Sequence, residues 1–172
     1  MLRELGKYDE AQELFENKLG TANINIFGKM TTLVALTETL RLKKDYAQAQ
    51  IKAKELLATA KQSGSSKFIV YAHEVLANML HDTDRFRESI GEAERALATG
   101  ACLGKDAEFN SLSTRMWILM GHCHKELKAW NRAITCFDSA ISAGIDGPYL
   151  VSANVGLAEV YSNSSNYTEA SK

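Results

Sequence analysis

One short phrase recurs five times along this chain and constrains most of what it can become. Tyr8-Asp-Glu-Ala11, Tyr46-Ala-Gln-Ala49, Phe86-Arg-Glu-Ser89, Trp130-Asn-Arg-Ala133 and Tyr167-Thr-Glu-Ala170 each set an aromatic three residues before a small side chain. The aromatics, at positions 8, 46, 86, 130 and 167, fall 38, 40, 44 and 37 residues apart. Residues three apart share a face of an α-helix, so each phrase puts a bulky group beside a short one. Polar pairs such as Gly6-Lys7, Lys44-Asp45, Asp84-Arg85 and Ser165-Asn166 precede the phrases. Each phrase is therefore expected to open the second helix of a pair, and repetition at this period predicts a stacked array.

Helix-period runs fill the intervals. Met30, Leu33, Val34, Leu36, Leu40 and Leu42 predict a helix from about Phe27, and Ala49, Ala53, Leu56, Leu57 and Ala60 its partner. Ile69, Ala72, Leu76, Met79 and Leu80 begin the next pair, and Phe86, Ile90, Ala93, Ala96 and Leu97 complete it. Gly100 to Leu112 is the longest break, read as an extended loop or as lengthened helix ends. Asp146-Gly147-Pro148 starts the last full helix, because proline suits a first turn, and that helix carries Leu150, Leu157, Ala158 and Tyr161. About nine helical segments and no strand are expected.

The clearest stretch runs from Trp117 through Met120-Gly121 and His124 to Ala133, Phe137 and Ala140. Gly121 and Ala133 are short enough to let two helices cross at about 8–10 Å, while Trp117, Met120, Phe137 and Ile141 fill the flanks. This pattern resembles the tetratricopeptide repeat, with an aromatic and a Leu-Gly-like pair on one helix and Ala and Phe on the next. The longer period is similar to that of kinesin light chains, LGN-class polarity adaptors and bacterial peptide-sensing regulators, without choosing among them. The resemblance implies an all-α fold, an α-α superhelix of stacked antiparallel helix pairs. The units are expected at about 1–19 (partial), 27–63, 66–101, 105–143 and 147–172 (partial), in one array over 1–172 that reads as a fragment of a longer protein. Measured from the following aromatic, Ala77 aligns with Gly121, and Thr37 takes the same place in the second unit, where a looser crossing is expected.

Composition narrows the function. With 20 basic and 21 acidic side chains, the chain has no overall attraction to nucleic acid, and no apolar run approaches the 18 residues of a membrane helix. Three cysteines, Cys102, Cys123 and Cys136, read as reduced thiols, and a cytoplasmic or nuclear location is expected. His122-Cys123-His124, with Cys136, His81 and His73, is the main group of metal-ligand types. Adjacent helical residues point about 100° apart, so these are expected to be core and surface groups rather than a zinc site. Phosphate loops and nucleophile motifs are absent. No catalytic residue, metal or cofactor is expected, and the chain does not read as an enzyme.

Surface remains. In a stack of helix pairs the first helices line a concave groove. Counting from Gly121, the groove side falls at Arg115, Ile118, His122 and Lys125, at Thr31, Val34, Glu38 and Arg41, at Tyr71, Glu74, Asn78 and His81, and at Ser152, Val155, Glu159 and Ser162. Mixed charge with a few apolar anchors suits a peptide. Glu38, Arg41, Tyr71, Glu74, Asn78, Arg115, His122 and Lys125 are the candidate partner-binding residues. The expected function is protein or peptide binding in the groove, within an adaptor or multi-subunit assembly, with association through uncapped terminal repeats as a further route. The alternative is a peptide-responsive domain controlling an effector domain absent from this sequence. Tetratricopeptide domains that grip a C-terminal carboxylate use paired Lys and Asn; Glu74 stands where a Lys would be expected, which argues against that specialisation.

Overall fold

The computed structural model describes residues 7–103, 107–143 and 147–170, with side chains over 7–102, 110–143 and 147–164. Among the described residues the chain forms eight α-helices and no strand. They are α1 (Tyr8–Leu19), α2 (Ile26–Leu42), α3 (Tyr46–Gln62), α4 (Ser66–Asp82), α5 (Phe86–Gly100), α6 (Ala107–Glu126), α7 (Trp130–Ser142) and α8 (Pro148–Ala170), with one 3₁₀ turn at Ala101–Leu103. The long break is thus largely helix: α5 runs to Gly100 and α6 starts at Ala107, which makes α6 20 residues long. The helix tail expected before Tyr8 lies outside the described residues.

The recurring phrase opens a helix in each of its first four copies. Ala11, Ala49, Ser89 and Ala133 are all at most 1% exposed, whereas their aromatics Tyr8, Tyr46, Phe86 and Trp130 are half-buried. The turn before the phrase has its own signature. Lys44, Asp84 and Lys128, each two residues before an aromatic, are left-handed with φ of 64°, 58° and 57°. The next amide donates to the carbonyl five residues back: Asp45 to Leu40 at 2.9 Å, Arg85 to Leu80 at 2.9 Å and Ala129 to His124 at 2.8 Å. This is the helix-ending motif that usually takes glycine, used here at non-glycine positions.

The fifth copy does not turn. The backbone stays helical from Pro148 to Ala170, through Ser165-Asn166, so no separate helix opens at Tyr167. Asn163 to Asn166 contains neither glycine nor proline, so nothing in that stretch forces the backbone out of the helix.

The chain divides into two compact units, Met1–Met79 and Leu80–Lys172. In the first, α1 packs on α2 and α2 on α3. Two layers of core hold it: Met30, Leu33, Leu56, Ala60, Phe68 and Ala72, then Leu36, Leu40, Ala49, Ala53, Leu76 and Met79. At the position where a looser α2–α3 crossing is expected, the side chain is fully buried. Thr37 has no exposed surface, because its hydroxyl donates to the Leu33 carbonyl at 2.7 Å and leaves a side chain no larger than valine to pack. Asn25 caps α2 by accepting from the Gly28 amide at 2.7 Å.

In the second unit α5 packs on α6, α6 on α7, and α8 on both α6 and α7. Its core is Ile118, Ala133, Phe137, Ala140, Ala153 and Val160. Phe137 is the centre. A methyl group built on Gly121 would lie 2.6 Å from its Cε1, and one on Gly156 would be as close, so both glycines clear room for one ring. On α8 the buried face is Ala153, Gly156 and Val160; of the expected apolar residues Leu157 packs against this core and Leu150 is half-buried, while Ala158 and Tyr161 are exposed. Pro148 does open α8, and Gly147 before it takes φ 87°.

Candidate functional site

Along α2, Phe27, Thr31, Val34 and Glu38 follow one another at intervals of four, three and four residues, and Lys67, Tyr71, Glu74 and Asn78 do the same along α4. Such spacing makes a stripe on each helix. Beyond Phe27 and Lys67, the two stripes border an open trough of about 260 Å³. From α2 it is lined by Thr31, Val34, Ala35 and Glu38, and from α4 by Tyr71, Glu74, Val75 and Asn78. Each α4 residue lies forty positions after its α2 counterpart, so the helices run parallel and match turn for turn. Glu38, Tyr71, Glu74 and Asn78 are thereby brought together. Arg41 stands one turn below and forks onto Glu38, Nε at 3.0 Å and Nη2 at 2.6 Å.

The trough has a chemical gradient along its length. At the N-terminal ends, Phe27 meets Phe68 edge-on at 5.5 Å between centroids, Phe68 meets Tyr71 at 6.0 Å, and Lys67 Nζ sits 5.9 Å from the Tyr71 ring. Phe68 is buried, but Phe27 is 62% exposed. Sequence reasoning passed over Phe27 and Lys67. Their period was visible, but the count started from the helix crossing and stopped a turn short of the helix ends.

The other three candidates belong to the second unit. Lys125 reaches from α6 to Glu159 on α8, at 2.7 Å, and to Glu126 at 3.6 Å. Partial burial disfavours its ammonium, but the Glu159 hydrogen bond and the two carboxylates outweigh this and raise its pKa; the Lys125 hydrogen bond in turn lowers that of Glu159. His122 rests edge-on against Phe137, 5.2 Å between centroids, so it is part of the packing around that ring. Arg115 is half-buried, with Nη1 3.0 Å from Ser111 Oγ. Ile118, expected on the groove, is buried instead, in the core cluster with Ala133, Phe137 and Ala140 of α7 and Ala153 and Val160 of α8.

Burial lowers the pKa of both His122 and His124. The charges of Lys125 and His81 add to the shift at His122 against Glu159 and Glu126, and Arg132 adds at His124 against Glu94. A histidine whose folded pKa is depressed binds fewer protons than in the unfolded chain, so stability falls as pH drops below the ordinary value near 6.5. Denaturant unfolding at pH 7.5 and 5.5 should therefore show a loss at the lower pH. The loss should shrink in a His122→Gln, His124→Gln variant; an equal loss would assign it to other groups.

The two buried thiols are not poised for chemistry. Cys123 and Cys136 are buried; burial raises the Cys123 thiol, which donates to Ser89 Oγ at 3.5 Å, and pushes Cys136 up to about 11. Among the described residues no group of three His, Cys, Asp or Glu is placed to hold a metal ion, and no helix is long and apolar enough to cross a membrane. A second depression, of about 320 Å³, lies by the turns at Asp84–Glu88 and Leu127. It coincides with none of the candidate residues, and Arg85 there is forked onto Glu88.

No family model matches the chain, and no curated protein matches it. Among solved structures it is similar to BtubC (BKLC) from P. vanneervenii, with a TM-score of 0.76 and 14% identity, over 99% of this chain and 71% of that one. The chain shares an all-helical, repeat-like fold with it. At this identity the likeness concerns fold alone.

Proposed function

We propose that this chain is a non-catalytic protein-interaction module, a tetratricopeptide-like array that binds a peptide or partner segment along the exposed faces of its first helices. The α2–α4 trough carries the reading: it juxtaposes an aromatic ring, a valine wall, two carboxylates and an amide, without a reactive group. Such a surface supplies anchors and register rather than chemistry. The tetratricopeptide assignment is supported by the buried small residue of four phrases and by Gly121 against Phe137. A place within a cytoplasmic adaptor or multi-subunit assembly accords with that role.

Selection of a randomised, displayed peptide library on the immobilised chain, followed by amide chemical-shift mapping of the winners, tests the proposal. Shifts should concentrate on 31–38 and 67–78. Shifts confined to the exposed side of α3, or a library that enriches nothing, would overturn it.

A further inference from the structure

A first helix in this repeat has two faces to bury, and the aromatic that opens each phrase gives both a common numbering. Fourteen, eleven and seven residues before Trp130 stand Met116, Leu119 and Cys123, all buried on α6, and Cys123 donates to Ser89 of α5 at 3.5 Å. Sixteen, nine and six residues before it stand Thr114, Gly121 and His124, also buried, and Gly121 lies against Phe137 of α7. One face thus meets the preceding pair and the other meets the helix's own partner. On α2 the second set, counted from Tyr46, is Met30, Thr37 and Leu40, each at most 3% exposed.

On α8 the first face is buried and the second is open. Counted from Tyr167, Ala153, Gly156 and Val160 take the places of Met116, Leu119 and Cys123, and all are buried. Val151, Ala158 and Tyr161 take the places of Thr114, Gly121 and His124, and all are exposed, Val151 by 62% and Tyr161 by 52%. Val155 beside them is 51% exposed. The fifth phrase does not fold back over this face, because α8 stays helical through Ala170. From Val151 to Ser162 the helix carries a single charge, Glu159, which is bonded to Lys125.

We infer that the open face of α8 is a docking site for a helix of a partner protein, one that presents the side chains that second helices present in this chain. Those side chains define what it must carry. α3 buries Ala49, Ala53 and Leu56, and α7 buries Ala133, Phe137 and Ala140, at the same intervals of four and three. Both sets begin with alanine and differ at the next position, where Phe137 faces glycine at 121 and, by the same count, Ala53 faces Thr37. α8 has Ala158 at that place. A methyl group on Gly121 would come within 2.6 Å of the Phe137 ring, so a helix of the α7 kind would clash with Ala158. The occupant is therefore of the α3 kind: an amphipathic helix with Ala, Ala and Leu four and three residues apart, antiparallel to α8, with Val151 and Val155 on its flank. This inference does not rest on the trough.

A synthetic peptide with the sequence Tyr46–Gln62 tests it, because it carries that stripe and its helicity in isolation is marginal. Added to the full chain, it should gain helical circular dichroism and shift the amides of 151–161. Ala158→Arg puts a charge at the crossing; the residue is exposed in the free chain, so the melting temperature should hold while affinity for the peptide falls about tenfold or more. The same peptide with Ala53→Phe should also bind about tenfold more weakly. No binding, shifts confined to α2, equal affinity for Ala158→Arg, or an Ala53→Phe peptide that binds as well as the unmodified one would overturn the inference. So would a chain that sediments as a dimer until Ala158→Arg makes it a monomer, since a second copy would then hold the face.

Discussion

Phe137→Ala should destabilise the second unit by about 3–5 kcal/mol, the largest loss expected for a single side chain here. The ring has no exposed surface, fills the space left by Gly121 on α6 and Gly156 on α8, and carries the edge of His122. Removing it empties a site walled by three helices, whose backbones cannot collapse inward without breaking the α6–α7 and α7–α8 packing. The converse changes act through the same volume. Gly121→Leu or Gly156→Leu would drive side-chain atoms into the ring and cost about 1–3 kcal/mol by overpacking, despite the better helix propensity of leucine. If this is the cause, Phe137→Leu should partly rescue Gly121→Ala, giving a non-additive double-mutant cycle. Urea unfolding of the single and double variants measures it. Additive losses, or a Gly156→Leu variant as stable as the parent, would place the glycines away from the ring.

How far these features were legible in the sequence depended on how local their cause is. The small residue of each phrase and the crossing at Gly121 could be read directly, because a spacing of three within one helix decides the face. Gly156 could not: its reason for being glycine is a ring nineteen residues earlier, on a different helix, and nothing in its own neighbourhood in sequence shows that. Thr37 reads as a poorer fit for a close crossing because it is larger than the glycine and alanine at the equivalent positions; the bond to Leu33 that lets it be fully buried is not visible in sequence. The turn expected at Ser165-Asn166 fails for a simpler reason, since a polar pair permits a turn but does not impose one. Glu38, Tyr71, Glu74 and Asn78 were found from periodicity and do line one trough. Lys125 and His122 were found by the same count, yet one is engaged by Glu159 and the other rests on Phe137, and only tertiary packing distinguishes such residues from an open face.

The second large effect concerns binding. Tyr71 lines the trough where its aromatic and charged halves meet, its ring braced by Phe68 and approached by Lys67. A planar side chain held in this way loses little freedom on contact, and truncating such an anchor costs about 2 kcal/mol or more. Lys54 makes a suitable control: it is exposed on α3 and lies outside the trough. Lys52 and Glu92 serve less well, because Lys52 pairs with Glu55 and Glu92 with Arg95. The most direct measurement is the affinity of a trough-selected peptide for the parent chain, Tyr71→Ala and Lys54→Ala, with each variant shown to melt as the parent does. Tyr71→Ala should bind about thirtyfold more weakly or worse, and Lys54→Ala within about twofold of the parent. Equal losses in the two variants, or a loss in Lys54→Ala alone, would contradict the claim that the first-helix face is where this protein holds its partner.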